Sequence, residues 1–525
     1  MTFIGTLGAG VVFAMALVLS ARITLIMIFS KKPGPLPPGP KGLPFVGNVN
    51  DLPPPGQREC EHWIKHKDIY GPISSVTVLG TTIVILNSSE LAVELLDRKS
   101  AVYSSRPRLP FADITGLGSA MPMLPYNKML RYQRKLIYTF IGSPAAATTY
   151  IDVQEKEAHR FLLRVLQRPE SFLDHIRTEA GAIILKTVYG YTVEPHKSDP
   201  LVKLIGESME HFAAAVVPGA WLVDVIPALQ YIPEWMPGTG WKETSKKWRN
   251  TIMETAEKPL LFARKRRANG HAEKSYVGKF YDDRGDDLSP DDCDTLKWTA
   301  LSLFGGGADT TVNMLSAFFL AMILYPDVQR KAQEEIDQVI GTGRLPMYSD
   351  RDRLPYVDAV VTEAWRWHPV VPLNTPHTSD AEHFVNGYYI PKGALVMANI
   401  WAFTHDPVVY PDPSAFNPLR YLGPNSAPNP TKHVFGYGRR ICPGRHIAMS
   451  SVWITIAQSL AVLNIKKGLD ANGREIEPTV ASTPGLVSRP EEFKATIKPR
   501  SPQHEVLIRQ AEELHPWEKS GADEL

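Results

Sequence analysis

Apolar positions recur at helical spacing through most of the chain. Segments near 127–142, 152–167, 170–189, 198–215, 242–268, 290–325, 327–340 and 353–367 have this periodicity or helix-favouring composition and predict helices. Ile73 to Leu86 alternates instead, with β-branched runs on either side of Leu79-Gly80, which predicts a hairpin. A second strand-rich stretch covers about 377–400. No repeat of solenoid period is present. The pattern is that of a mainly α fold with small β-sheets.

The N-terminus departs from it. Met1 to Ala21 carries no charged side chain, Arg22 interrupts, Ile23 to Phe29 is apolar again, and Lys31-Lys32 follows. About 20 apolar residues suffice to span a bilayer, and an arginine near the end of such a helix can snorkel to the interface. Residues 1–30 are therefore expected to be a single-pass transmembrane anchor. A cleaved signal peptide fits less well, because the charge follows the apolar run. The lysines after the helix place the rest of the chain on the cytosolic side. Residues 31–49, rich in Pro and Gly from Pro33 to Pro44, read as a stiff hinge.

Other stretches look peripheral. Arg264 to Asp292 is heavily charged, holds several glycines and reads as a mobile loop. Residues 501–525 read as a polar, poorly ordered C-terminal tail. Ala213 to Pro237 mixes Trp221, Leu222, Ile226, Trp235 and Met236 with prolines and glycines; it is either core or a second membrane contact.

Composition adds bounds. With 44% hydrophobic and 21% charged residues the chain can bury a large core, and a net charge of +2 argues against nucleic acid as the main partner. Cys60, Cys293 and Cys442 are too few and too scattered for a disulfide framework or a zinc site, and they fit a reducing compartment.

Cys442 stands in Phe435-Gly436-Tyr437-Gly438-Arg439-Arg440-Ile441-Cys442-Pro443-Gly444-Arg445, directly before an apolar helix. Glycines permit turns and close backbone approach, and cations and a helix N-terminus favour a thiolate. Such a thiolate could be a nucleophile, with His446 as base, or a metal ligand. A single thiolate among arginines and glycines suits haem. Gly305-Gly306-Gly307-Ala308-Asp309-Thr310 lies inside a helix that starts at Ser289-Pro290 and ends before Tyr325-Pro326. Three glycines there reflect either close helix packing or a helix that passes flat against a cofactor.

The spacing F-x-x-G-x-R-x-C-x-G resembles the signature of the cytochrome P-450 family. The resemblance implies that Cys442 ligates haem iron, Arg440 binds a propionate, Phe435 shields the sulfur, and Gly438 and Gly444 shape the loop. Gly306 to Thr310 is similar to the family's A/G-G-x-D/E-T motif, in which Asp309 and Thr310 would deliver protons to dioxygen. Glu363-Ala364-Trp365-Arg366 with Phe416-Asn417-Pro418-Leu419-Arg420-Tyr421 resembles the family's buried triad of Glu363, Arg366 and Arg420. Glu157-Ala158-His159-Arg160 fits the first pattern too and reads as a surface pair. Arg134 and His377 are further propionate candidates; Leu130 stands where relatives carry Trp. A surface histidine is the alternative for His377.

The resemblance covers residues 50–500, taken as one haem-thiolate domain, and is nearest to fungal microsomal members of the O-methylsterigmatocystin oxidoreductase type. It implies haem b (iron protoporphyrin IX), an endoplasmic reticulum membrane location, and a monooxygenase acting on an apolar secondary-metabolite intermediate. NADPH would supply electrons through a separate cytochrome reductase, with cytochrome b5 as a further donor, since the chain has no G-x-G-x-x-G unit of its own. Lys128, Arg131, Lys135, Arg439 and Arg445 are candidates for the docking face. The alternatives are a reductase-independent haem-thiolate isomerase or dehydratase, which would not need the Asp309–Thr310 relay, and a non-catalytic haem sensor.

Overall fold

The computed structural model describes residues 33–217 and 219–525. The expected anchor, residues 1–30, lies outside the described residues. The long helices are α1 (Lys128–Ile141), α2 (Ile151–Gln167), α3 (Phe172–Tyr189), α4 (Pro200–Ala215), α5 (Gly240–Ala268), α6 (Pro290–Leu324), α7 (Pro326–Val339), α8 (Pro355–Trp367) and α9 (Arg445–Val462). Their starts follow local chemistry. Asn127, Asp199 and Ser289 accept backbone N–H bonds as N-caps, and prolines occupy the first turn of α4 and α6.

Helix α6 runs through the centre and packs against α3, α4, α8 and α9. It is long and apolar enough to cross a membrane, but its apolar window is 78% buried inside the protein, so it is a core helix. Phe318 and Phe319 meet Phe161, Phe172 and Trp453 in the largest apolar cluster. Each such side chain contributes about 1.5–3 kcal/mol by leaving water.

Strands β1 (Ile73–Val78) and β2 (Thr81–Leu86) form the hairpin, with Leu79 and Gly80 both at positive φ, the geometry of a tight two-residue turn. Strands β3 (His377–Thr378), β4 (His383–Val385), β5 (Tyr388–Ile390) and β6 (Leu395–Ala398) fill the second β region. The main sheet has the order β1-β2-β6-β3, with β6 parallel to β2, and β4 pairs with β5. Strands β7 (Leu463–Lys467) and β8 (Ala495–Pro499) form a third, antiparallel pair.

Several expectations are corrected. The charged stretch 264–292 is not a loop: α5 continues to Ala268, and a helix at Tyr276–Arg284, capped by Ser275, buries Tyr276, Val277 and Phe280. The stretch after Arg500 is ordered. It forms a helix at Pro502–Arg509 that buries Leu507 and Ile508 in the main cluster. Trp517 then lies over the guanidiniums of Arg160 and Arg164. Glu157 and Arg160 are not a surface pair: they are buried, 2.7 Å apart, and Arg160 also donates to the carbonyl of Pro516. The described part of the Pro-rich segment is stitched to the sheets, with Ser75 N donating to Pro38 O and Tyr389 N to Pro35 O. The 213–237 stretch divides: Val216 and Val223 are core, whereas Leu222, Ile226, Tyr231 and Trp235 are exposed.

Candidate active site

The loop before α9 is shaped by two left-handed glycines, Gly436 and Gly438. A Cβ on Gly438 would lie 2.5 Å from the carbonyl oxygen of Leu96, so space as well as conformation demands glycine there. Gly444 is different: the nearest atom to its Cβ position is 3.8 Å away, and nothing in the structure requires glycine. The N–H of Cys442 donates to the carbonyl of Phe435 at 2.8 Å, which closes the loop and fixes both residues. The Phe435 ring packs on Trp365 of α8. Arg440 crosses the loop to donate to Ser104 O at 2.6 Å and Leu124 O at 2.5 Å.

Cys442 borders a cavity of about 350 Å³ whose walls are mostly apolar. Burial holds its thiol above the ordinary range, opposed by the Gly444 N–H and by Arg134 and Arg445. Burial thus acts against the thiolate and the nearby cations act for it; iron, when bound, would add positive charge on the same side.

Arginines gather at one end of this cavity. Arg134 of α1 donates to Ile441 O at 2.7 Å. Arg106, which the sequence reading overlooked, donates to the carbonyls of Pro122, Thr375 and Pro376. Burial and the neighbouring Arg440 and Arg134 charges push its pKa well down. Burial, with Arg134, lowers that of Arg440 to about 10. His377 is 1% exposed, so it is not a surface histidine; its Nδ1 is 2.5 Å from Tyr103 O, and burial beside Arg106 keeps it neutral. It does not line the cavity itself. Among the described residues, Arg106, Arg134 and Arg440 form no ion pair. Cations drawn out of water, Arg440 buried and Arg106 and Arg134 half-buried, without carboxylate partners fit a ligand that brings its own acidic groups. The thiol, the guanidiniums and the apolar walls together suit haem with its two propionates.

On α6, Thr310 lines the same cavity and its hydroxyl donates to Gly306 O at 2.7 Å. Asp309 does not line it. Its carboxylate borders a second cavity of about 420 Å³, less apolar than the first, with Arg177, Glu210, Asn313 and Arg489 among its lining residues. Burial raises the Asp309 pKa, with Arg489 and Asn313 acting the other way.

A family model, cytochrome P-450, matches residues 37–497. The cytochrome P-450 monooxygenase claR of Ampulloclitocybe clavipes is 47% identical over 93% of this chain and 91% of its own. The chain belongs to the cytochrome P-450 family. The cytochrome P-450 monooxygenase ppsD of Aspergillus oryzae is 40% identical over 93% of this chain and 94% of its own. The O-methylsterigmatocystin oxidoreductase of Aspergillus flavus is 38% identical over 94% and 93%. The protein is thus a haem-thiolate monooxygenase of the fungal kind.

Within this cytochrome P-450, Glu363, Arg366 and Arg420 come together. Glu363 accepts from Arg366 through two bonds of 2.8 Å and from Arg420 at 3.2 Å, and the Glu363 and Arg366 side chains are fully buried. Asn417 N and Tyr421 OH complete the shell of Glu363, partners the sequence did not reveal. Leu130 is fully buried in an apolar cluster, and its side chain offers no hydrogen-bond donor.

Proposed function

We propose that this protein is an NADPH- and dioxygen-dependent monooxygenase of the endoplasmic reticulum that oxidises an uncharged, apolar intermediate of fungal secondary metabolism, such as a polyketide, terpenoid or alkaloid. The observation that carries the reading is the division of the main cavity. Its ionisable lining groups, Arg106, Arg134, His433, Arg440 and Cys442, belong to the thiol and arginine side, while α4 and α6 present Ile205, Met209, Phe212, Leu301 and Gly306. An apolar chamber takes an apolar substrate and excludes water.

Haem b, when bound to Cys442, would supply the iron chemistry that activates dioxygen. Arg106, Arg134 and Arg440 would hold its carboxylates, with His377 placed behind Arg106. The chain's own residues move the protons. Asp309 takes them from the second cavity, and Thr310, whose single hydroxyl proton rests on Gly306 O, turns that proton away from the carbonyl to donate into the chamber and accepts a replacement at its oxygen. Phe435 covers the sulfur side, and the Glu363 cluster keeps α8 and the 416–421 segment fixed behind it.

Electrons would come from a separate reductase, with cytochrome b5 as a second donor. Lys128, Arg131, Lys135 and Arg439 are exposed, Arg445 is half-buried, and among the described residues none of the five is in an ion pair. Tyr126 is flanked by Arg131 and Arg439. Such a face suits an acidic partner. The exposed Leu222, Ile226, Tyr231 and Trp235, together with the apolar run at 1–29, support membrane association.

The test is spectroscopic and catalytic. The reduced carbon monoxide complex should show a red-shifted Soret band that Cys442→Ala abolishes, and NADPH consumption should require added reductase. An unchanged band in the variant would place the ligand elsewhere. Equal substrate turnover without NADPH and reductase would favour an isomerase or dehydratase instead.

A further inference from the structure

Residues 515–525 lie as a strap across α2, α3 and the far end of α5. Trp517 covers the guanidiniums of Arg160 and Arg164 of α2 at 4.9 and 5.0 Å. Glu518 pairs with Lys156 of α2 and, at 3.1 Å, with Lys186 of α3. Gly521 N donates to Thr192 O at 2.9 Å. A Cβ on Gly521 would lie 2.7 Å from the Tyr191 ring and 3.0 Å from the Phe262 ring of α5, so the strap is wedged between them. Glu524 then reaches Arg266 of α5 at 3.1 Å, and its carbonyl accepts from Lys265 at 3.4 Å.

Helix α5 is interrupted just before these contacts by Pro259. A proline inside a helix removes one backbone hydrogen bond and presses its ring on the preceding turn, so helices bend there. One turn earlier the Thr255 hydroxyl donates to Thr251 O at 2.7 Å, a contact that also favours bending. The two sides of Pro259 are held differently. After it, Phe262 meets Tyr191 edge-on at 5.0 Å, and Arg266 and Arg267 pair with Glu524 and Asp282. Before it, Trp248 stacks on His211 of α4 at 4.7 Å and meets Phe111 edge-on at 5.5 Å. Aromatic faces of this kind separate without stranding a charge. Lys242 and Lys246 bind Gln230 O and Glu234 of the adjoining stretch, which travels with this part of the helix.

We propose that residues 515–525 are a clasp that fixes α5 beyond Pro259, so that opening of this face bends α5 at Pro259 and moves only residues 240–258 with the end of α4 they carry. The strap thereby sets which part of the helix is lid and which part is frame. Nothing in this device depends on the identity of the substrate.

The experiment is hydrogen–deuterium exchange of the haem-loaded full chain, read by mass spectrometry. In the unaltered protein, amides of 244–257 are expected to be about tenfold less protected than those of 260–268, the mark of separate local opening. The side chain in Gly521→Val has no room between Tyr191 and Phe262; it should raise exchange in 260–268 by about tenfold and leave α9 and the Pro502–Arg509 helix within about twofold. Glu524→Gln removes one half-buried ion pair and should raise exchange in 260–268 by about twofold to fivefold. Pro259→Ala restores the missing hydrogen bond and should bring 244–257 to within about threefold of 260–268. Equal protection on the two sides of Pro259 in the unaltered protein overturns the proposal. So does unchanged exchange in 260–268 in both strap variants, or an equal rise there and in α9, which would make the strap a support of the whole domain. If Gly521→Val yields no folded protein, Glu524→Gln alone decides.

Discussion

Asp309 and Thr310 are adjacent on α6 yet open onto different cavities, Thr310 onto the chamber beside Cys442 and Asp309 onto the second cavity beside Arg177, Glu210 and Arg489. The carboxylate therefore meets Arg177, Glu210 and Arg489, none of which lines the chamber.

Variants of the two residues should therefore fail differently. Thr310→Ala should raise the peroxide released per NADPH consumed, because the chamber loses its donor. Asp309→Asn should lower kcat by roughly a hundredfold, the low end for losing a positioned acid–base group, with a larger solvent isotope effect. Simultaneous measurement of NADPH, peroxide and product separates them; tight coupling in Thr310→Ala would remove it from the relay.

Arg106 is a half-buried cation that donates only to carbonyls. Arg106→Leu should weaken haem retention by about tenfold to a hundredfold, the worth of one charge-assisted hydrogen bond. The apoprotein should melt no lower than before, since a half-buried charge without a carboxylate partner has been removed. Haem transfer to apomyoglobin and thermal melts of the apoprotein check both halves.

Glu363 neutralises two arginines in a site closed to water. Glu363→Gln leaves both cations without their counter-charge and should cost about 3–5 kcal/mol. Urea unfolding followed by tryptophan fluorescence measures it. A loss below about 1 kcal/mol would mean that the carbonyls of Thr404, Pro413 and Ala415 satisfy Arg366 unaided.

Glu179 of α3 accepts from Thr455 of α9 at 2.6 Å, and burial lifts its carboxyl pKa to about 8. The folded state then keeps a proton that the unfolded chain releases above about pH 4.3. Stability should fall as pH rises from about 4.3 to about 8, by up to about 1.4 kcal/mol per pH unit, and this contribution should level off above. Glu179→Gln should flatten that slope. Equal slopes for both proteins in urea titrations at pH 5.5, 6.5 and 7.5 would show that Glu179 ionises normally.

The long helices and the hairpin were legible because each buries one face, which imposes a period on the sequence. The Cys442 loop was legible because glycine and arginine spacing there answers to backbone conformation and charge. What escaped depends on partners distant in sequence. The exposed charges of 264–292 mask Tyr276, Val277 and Phe280 on the inner face of a short helix. Glu157 and Arg160 are covered by a C-terminal segment whose apolar residues, Leu507, Ile508 and Trp517, are diluted among polar ones. Arg106 sits in a non-periodic stretch, and only the fold brings it beside Arg440. The outward turn of Asp309 is a matter of rotation about α6 that the motif does not encode.

The parallel pairing of β2 with β6 joins Ile83 to Leu395, on segments far apart in the sequence. Contacts this distant in sequence form late and slowly. The central sheet therefore cannot close until most of the chain has left the ribosome, and the Cys442 loop emerges later still. Arg106 and Arg134, on early segments, wait for Arg440 and Cys442 on a late one. Haem capture thus falls at the end of folding, where it can act as the final lock on the assembled domain.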